Sequence, residues 1–122
     1  FPGGKGGTFF ASPNAVLSDA TVTALTSAAD KGRLFLLNHI VAGKRGVSAG
    51  TDVTVFANGQ TITPFSTKTI NVIQGTVNAA TNPYGFYVTT APATSTTYAP
   101  IMVKDLANSN GLIQVIGGVL NN

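Results

Sequence analysis

The stretch Asp105-Leu-Ala-Asn-Ser-Asn-Gly-Leu-Ile-Gln-Val-Ile-Gly-Gly-Val-Leu120 decides the fold. Its Asn108-Ser-Asn-Gly111 tetrapeptide is turn chemistry, because Asn tolerates left-handed backbone and Gly adopts it freely. From Leu112 to Leu120 almost every residue is apolar, over the length of one strand. Such a run predicts a strand buried on both faces, central in its sheet and entered by a turn over 105–110.

Working outward, Pro100-Ile-Met-Val-Lys104 predicts the preceding strand, and Tyr84 to Thr90 and Thr69 to Val77 predict two more from their β-branched and aromatic residues. Asn58-Gly59 lies between Asp52-Val-Thr-Val-Phe-Ala57 and Gln60-Thr-Ile-Thr-Pro-Phe65, a strong short-range signal for a β-hairpin. Thr8-Phe-Phe-Ala11 is a short apolar strand, running into Ser12-Pro13, a good helix start. A helical turn over Asn14 to Leu17 is expected next, then a helix over Ser18 to Ala29. A third helix runs from Lys31 to about Ile40, with Leu34, Leu37 and Val41 in one stripe and Gly43 to end it. Helices first and strands after predict an α+β domain over residues 8–122, with residues 1–7 a flexible glycine-rich arm.

Charged residues make up 9% of the 122 residues, against about 25% in ordinary soluble domains. Glu is absent, so Thr, Ser, Asn and Gly must cover the surface. That balance favours secreted, cell-wall and particle-forming proteins. The net charge of +3 is scattered, with Lys44-Arg45 the one adjacent basic pair, so a nucleic-acid partner is not expected. Zero cysteines remove disulfide and thiolate chemistry. No apolar stretch reaches the roughly 20 residues of a membrane span, and Phe1 to Gly7 has no hydrophobic centre of a signal peptide. No Asn-x-Ser/Thr sequon occurs, and Thr89 to Thr97 is rich enough in hydroxyls to be either a solvated loop or an O-glycosylated one.

No nucleophile–base–orienter set is recognisable, so no enzyme and no cofactor or metal is expected. His39, the single histidine, follows Leu36-Leu37-Asn38 at the end of an apolar helix, where an imidazole bonds backbone. The candidate interaction residues are Asn38 and His39 with Lys44 and Arg45, whose bases suit an acidic partner or a glycan.

Four stretches, in order, resemble fasciclin-type domains. Thr8-Phe-Phe-Ala-Ser-Pro-Asn-Ala-Val-Leu17 is similar to the family's TVFAPTNAAF entry, and Leu34-Phe-Leu-Leu-Asn-His-Ile-Val-Ala-Gly-Lys44 to its LLLYHVVPGK segment. Asn58-Gly-Gln-Thr-Ile62 resembles its NGQTL hairpin, and the closing stretch its NGVIHVIDGVL strand. The resemblance implies a fasciclin-like α+β fold: short helices in the N-terminal third packed on a β-sandwich or wedge of about six to seven strands. It also implies a non-catalytic, extracellular role in cell adhesion or matrix and cell-wall assembly, with protein or glycan partners. Asn38, Gln114 and Gly117 stand where the family has Tyr, His and Asp. The family's first helical segment has no counterpart before Thr8, which predicts an uncovered apolar surface and self-association as a homo-oligomer. The alternative reading is a self-assembling structural subunit of a capsid, pilus or surface layer.

Overall fold

The computed structural model describes residues 6–13, 23, 31–66, 68–90, 98–108 and 111–120. The strands are β1 (Gly7–Ala11), β2 (Ile40–Ala42), β3 (Lys44–Gly46), β4 (Val53–Val55), β5 (Thr61–Ile62), β6 (Ile70–Gln74), β7 (Phe86–Thr89), β8 (Ala99–Asn108) and β9 (Gly111–Ile116). One helix, α1 (Lys31–Asn38), precedes β2.

Seven strands form one sheet in the order β2-β1-β9-β8-β7-β6-β5, and β3 and β4 pair in parallel as a separate ribbon. The chain beyond β5 returns to the other edge of the sheet. There Phe65 N–H donates to Ile40 C=O at 3.0 Å and Ser66 N–H to Leu37 C=O at 3.3 Å, so the sheet curls into a nearly closed barrel. Near-closure leaves little free edge, which is how all-β architectures avoid strand-to-strand aggregation.

This corrects the α+β expectation. The protein is mostly β, with one short described helix rather than a layer of helices on a sandwich. The predicted Lys31–Ile40 helix ends two residues early because β-branched Ile40 and Val41 pair with Phe9 and Thr8 of β1. Of the predicted Ser18–Ala29 helix only Thr23 is described, and it is helical; the turn over Asn14–Leu17 lies outside the described residues.

Two strand expectations also need correction. No hairpin joins the segments flanking Asn58-Gly59: β4 pairs with β3, and β5 pairs with β6. Gln60 N–H does close a turn onto Ala57 C=O at 3.1 Å, but Gly59 alone has positive φ (80°). Positive φ at only the third turn residue fits a type II turn, which splays its flanks; hairpins need the primed types. The turn predicted over 105–110 is mostly strand, because β8 continues to Asn108 through two register shifts, one at Met102 and one at Lys104–Asp105. Asp105 takes φ +53° there, a left-handed conformation that carries the irregularity.

β9 pairs with β1 on one side, in parallel, and with β8 on the other. Its burial alternates, with Gln114 and Ile116 fully buried and Ile113 and Val115 half-exposed, so only one of its faces meets the core. That face belongs to a cluster including Phe10, Val72, Val88, Ile101 and Ile116. Phe56 joins its two halves, with ring centroids 6.2 Å from Phe10 and 6.1 Å from Phe86.

Candidate functional site: a polar knot and an apolar outer face

Three arrangements around β1, β9 and β8 carry functional information. The first is a polar knot under the β3–β4 ribbon. Gln114 is fully buried, and its Oε1 accepts from Asp105 N–H at 2.9 Å. Its Nε2 donates to Arg45 C=O at 3.0 Å and to Asp105 Oδ1 at 2.8 Å. The Asp105 carboxylate also accepts from Val47 N–H and Ser48 N–H, both at 2.9 Å. Burial opposes ionisation of Asp105, but the Gln114 amide, the two backbone donors and the nearby Lys104 ammonium outweigh it and hold the carboxyl below its ordinary value. Gly46 makes room for this knot, since a β-carbon there would sit 2.9 Å from Asp105 Oδ1.

Lys44 and Arg45 therefore belong to a strand fixed from both sides. Arg45 N–H donates to Thr8 Oγ1 at 2.7 Å, and Thr8 Oγ1 donates to Gly43 C=O at 2.9 Å. Both basic residues are half-buried.

The second arrangement holds the other two candidates. Asn38 and His39 are 5% and 3% exposed, so their side chains do not form a surface of their own. Asn38 Nδ2 donates to Leu120 C=O at 2.9 Å, and His39 Nε2 accepts from Leu120 N–H at 3.0 Å. Ser12 Oγ donates to Gly118 C=O at 2.8 Å and lies 3.5 Å from His39 Nε2. This Ser–His proximity does not make a nucleophile and base, because the Nε2 lone pair faces Leu120 N–H and the hydroxyl proton faces Gly118 C=O.

Gly46-Val-Ser-Ala-Gly50 spells the Gly-x-Ser-x-Gly pentapeptide of a nucleophile elbow, a match that sequence reasoning passed over. Here the segment links β3 to β4, where an elbow needs a strand followed by a helix. Ser48 Oγ accepts from Lys104 Nζ at 3.0 Å, and the same ammonium sits 5.4 Å from the Tyr84 ring centre. Among the described residues no group of three or more metal-ligating side chains assembles, and no helix is long and apolar enough to cross a membrane.

The third arrangement is the outer face of the β2-β1-β9-β8 half of the sheet. Register places Ile40, Phe9, Ile113 and Leu106 in one row across four strands. Ala11, Val115 and Val103 form the adjacent row. Phe9, Val103 and Leu106 are 42%, 41% and 44% exposed, and the others are half-buried. The two rows contain no charged residue. At strand spacing the longer row spans about 14 Å. Residue periodicity in Thr8–Ala11 and Leu112–Ile116 contained the signal for this face, but a run apolar at both parities conceals which parity is outside.

No protein-family model matches the chain, and no curated protein is significantly similar to it.

Proposed function

We propose that the protein is a non-catalytic interaction module acting outside the cell, in adhesion or matrix and cell-wall assembly, and that it docks a protein partner through the outer face of β2-β1-β9-β8. The observation that carries this reading is the pair of register-aligned apolar rows, with Phe9, Val103 and Leu106 each more than two-fifths exposed. Contiguous exposed apolar surface beyond a few hundred Å² usually marks an interaction site. Aliphatic rows suit a protein surface better than a glycan, which requires polar groups and flat aromatic faces. The low charge supports an extracellular setting from composition. The ordered likeness to fasciclin-type domains supports adhesion, although the helical layer it implied is not the observed fold.

A second reading, the self-assembling subunit, draws on the same rows: a face without charge also matches its own copy. Surfaces coated with wild-type protein or with Leu106→Asp separate these. Cell attachment lost in the variant, with a monomeric wild-type mass by light scattering, supports the adhesion module. Concentration-dependent growth in mass that Leu106→Asp abolishes supports the subunit. Equal attachment by both proteins, with a monomeric mass for each, removes the docking face from either account.

A further inference from the structure

Two Asn-Gly pairs occur in the chain, Asn58-Gly59 and Asn110-Gly111. An Asn followed by Gly can react with its own backbone, because no β-carbon shields the Gly nitrogen from the side-chain amide. Asn58 and Gly59 are both exposed, in the turn between β4 and β5, yet neither is free. Gly59 N–H donates to Val72 C=O at 2.9 Å, and Asn58 Oδ1 accepts from Gln74 N–H at 3.0 Å. Between them Val72 N–H donates to Gln60 C=O, also at 2.9 Å. The turn thus prolongs the β5–β6 pairing along β6, with the Asn58 side chain standing in for a backbone carbonyl opposite Gln74.

We propose that Asn58 is a deamidation site held in check by its docking on β6. In the reaction the Gly59 nitrogen gives its proton to solvent hydroxide and bonds to Asn58 Cγ. The Cγ–Nδ2 bond breaks, and the side-chain nitrogen takes a proton from water and leaves as ammonia. Water then opens the cyclic imide at one carbonyl or the other, leaving an aspartate or an isoaspartate at this position. Nothing is oxidised or reduced, and water is the one co-reactant.

Docking opposes the first step at both reacting groups. The Gly59 proton that must leave is held by Val72 C=O, and the Asn58 carbonyl that must be attacked is turned toward Gln74 N–H. Ring closure has to rotate the Asn58 side chain and the Asn58–Gly59 peptide, which breaks both bonds. The reaction therefore proceeds from the undocked turn, and its rate follows the population of that open form. Two hydrogen bonds of ordinary strength make that population about one in ten or less. Each completed event lowers the formal net charge of +3 by one, so reacted protein separates on ion exchange.

The test incubates the protein at mildly alkaline pH, in native buffer and in unfolding urea, and follows each site by peptide mapping and mass spectrometry. In urea Asn58 and Asn110, each followed by Gly, should react at similar rates. In native buffer Asn58 should react at least about tenfold more slowly than in urea. Folded Gln74→Pro, which lacks the N–H that holds Asn58 Oδ1, should deamidate at Asn58 about threefold or more faster than folded wild type. Equal Asn58 rates in native buffer and urea overturn the proposal, as does a wild-type rate in folded Gln74→Pro. If that variant fails to fold, amide exchange at Gly59 in the wild type takes its place. About tenfold or more protection there supports gating by β6, and an unprotected Gly59 overturns it.

Discussion

Gln114 shows how a single buried amide can organise a surface loop. It spends both side-chain atoms on Asp105 and Arg45, and Asp105 then holds Val47 and Ser48 by their amides. Gln114→Ala leaves a cavity and orphans the Asp105 N–H and Arg45 C=O, so a loss of about 2–4 kcal/mol is expected by urea denaturation. Asp105 supplies a pH test. Its folded carboxyl ionises below the ordinary carboxylate value, so the unfolded chain takes up that proton first on acidification. Its contribution is full above the unfolded value and is lost as pH falls through the folded one. Asp105→Asn keeps a residue type that tolerates φ +53° and removes the charge. Acid titration of its stability should be shallower below about pH 4 than that of the wild type; parallel profiles would show that the carboxylate contributes nothing. Sequence reading recognised that Gln114 replaces an ionisable residue, but not its partner, which lies in what looked like a turn.

At the scale of elements, the parallel pairing of β1 with β9 depends on the absence of a side chain at one place. A β-carbon on Gly111 would stand 1.9 Å from Gly7 C=O, and Gly111 has φ +151°. Gly111→Ala therefore cannot keep this register, and a destabilisation of about 3 kcal/mol or more is expected, with loss of exchange protection concentrated in β1 and β9. A thermal midpoint unchanged from wild type would contradict the pairing. Strand positions were largely legible in the sequence, because Ile70–Gln74, Phe86–Thr89 and Leu112–Ile116 are dense in β-branched and aromatic residues. Partners were not legible. Asn58-Gly59 marks a turn correctly in composition, yet whether its flanks pair depends on the sign of φ at Asn58, which composition leaves open. The predicted helical stripe holds Leu34 and Leu37 but stops short of Val41 for a similar reason: pairing of Val41 with Thr8 outweighs local periodicity.

For the whole molecule, near-closure of the seven-stranded sheet and exposure of one apolar outer face are linked. Edges that meet at Phe65 and Ile40 leave little backbone for a partner to pair with, so association has to use side chains. The outer rows on β2, β1, β9 and β8 are placed to do that, and the charge-poor composition leaves few competing features. The candidate residues read from sequence lie elsewhere: Asn38 and His39 are inside and Lys44 and Arg45 flank the knot, while the exposed rows carry Phe9, Val103 and Leu106, which the structure alone brings together. The most direct measurement is cell attachment to coated surfaces by wild type, by Val103→Asp/Leu106→Asp, and by Val77→Asp, a control at a 64% exposed position in the segment between β6 and β7. With circular dichroism and thermal midpoints matched, the double variant should lose at least about 90% of attachment, as expected when charges enter the centre of an apolar contact. The Val77 variant should retain it. Attachment by the double variant equal to wild type would contradict the assignment of this face.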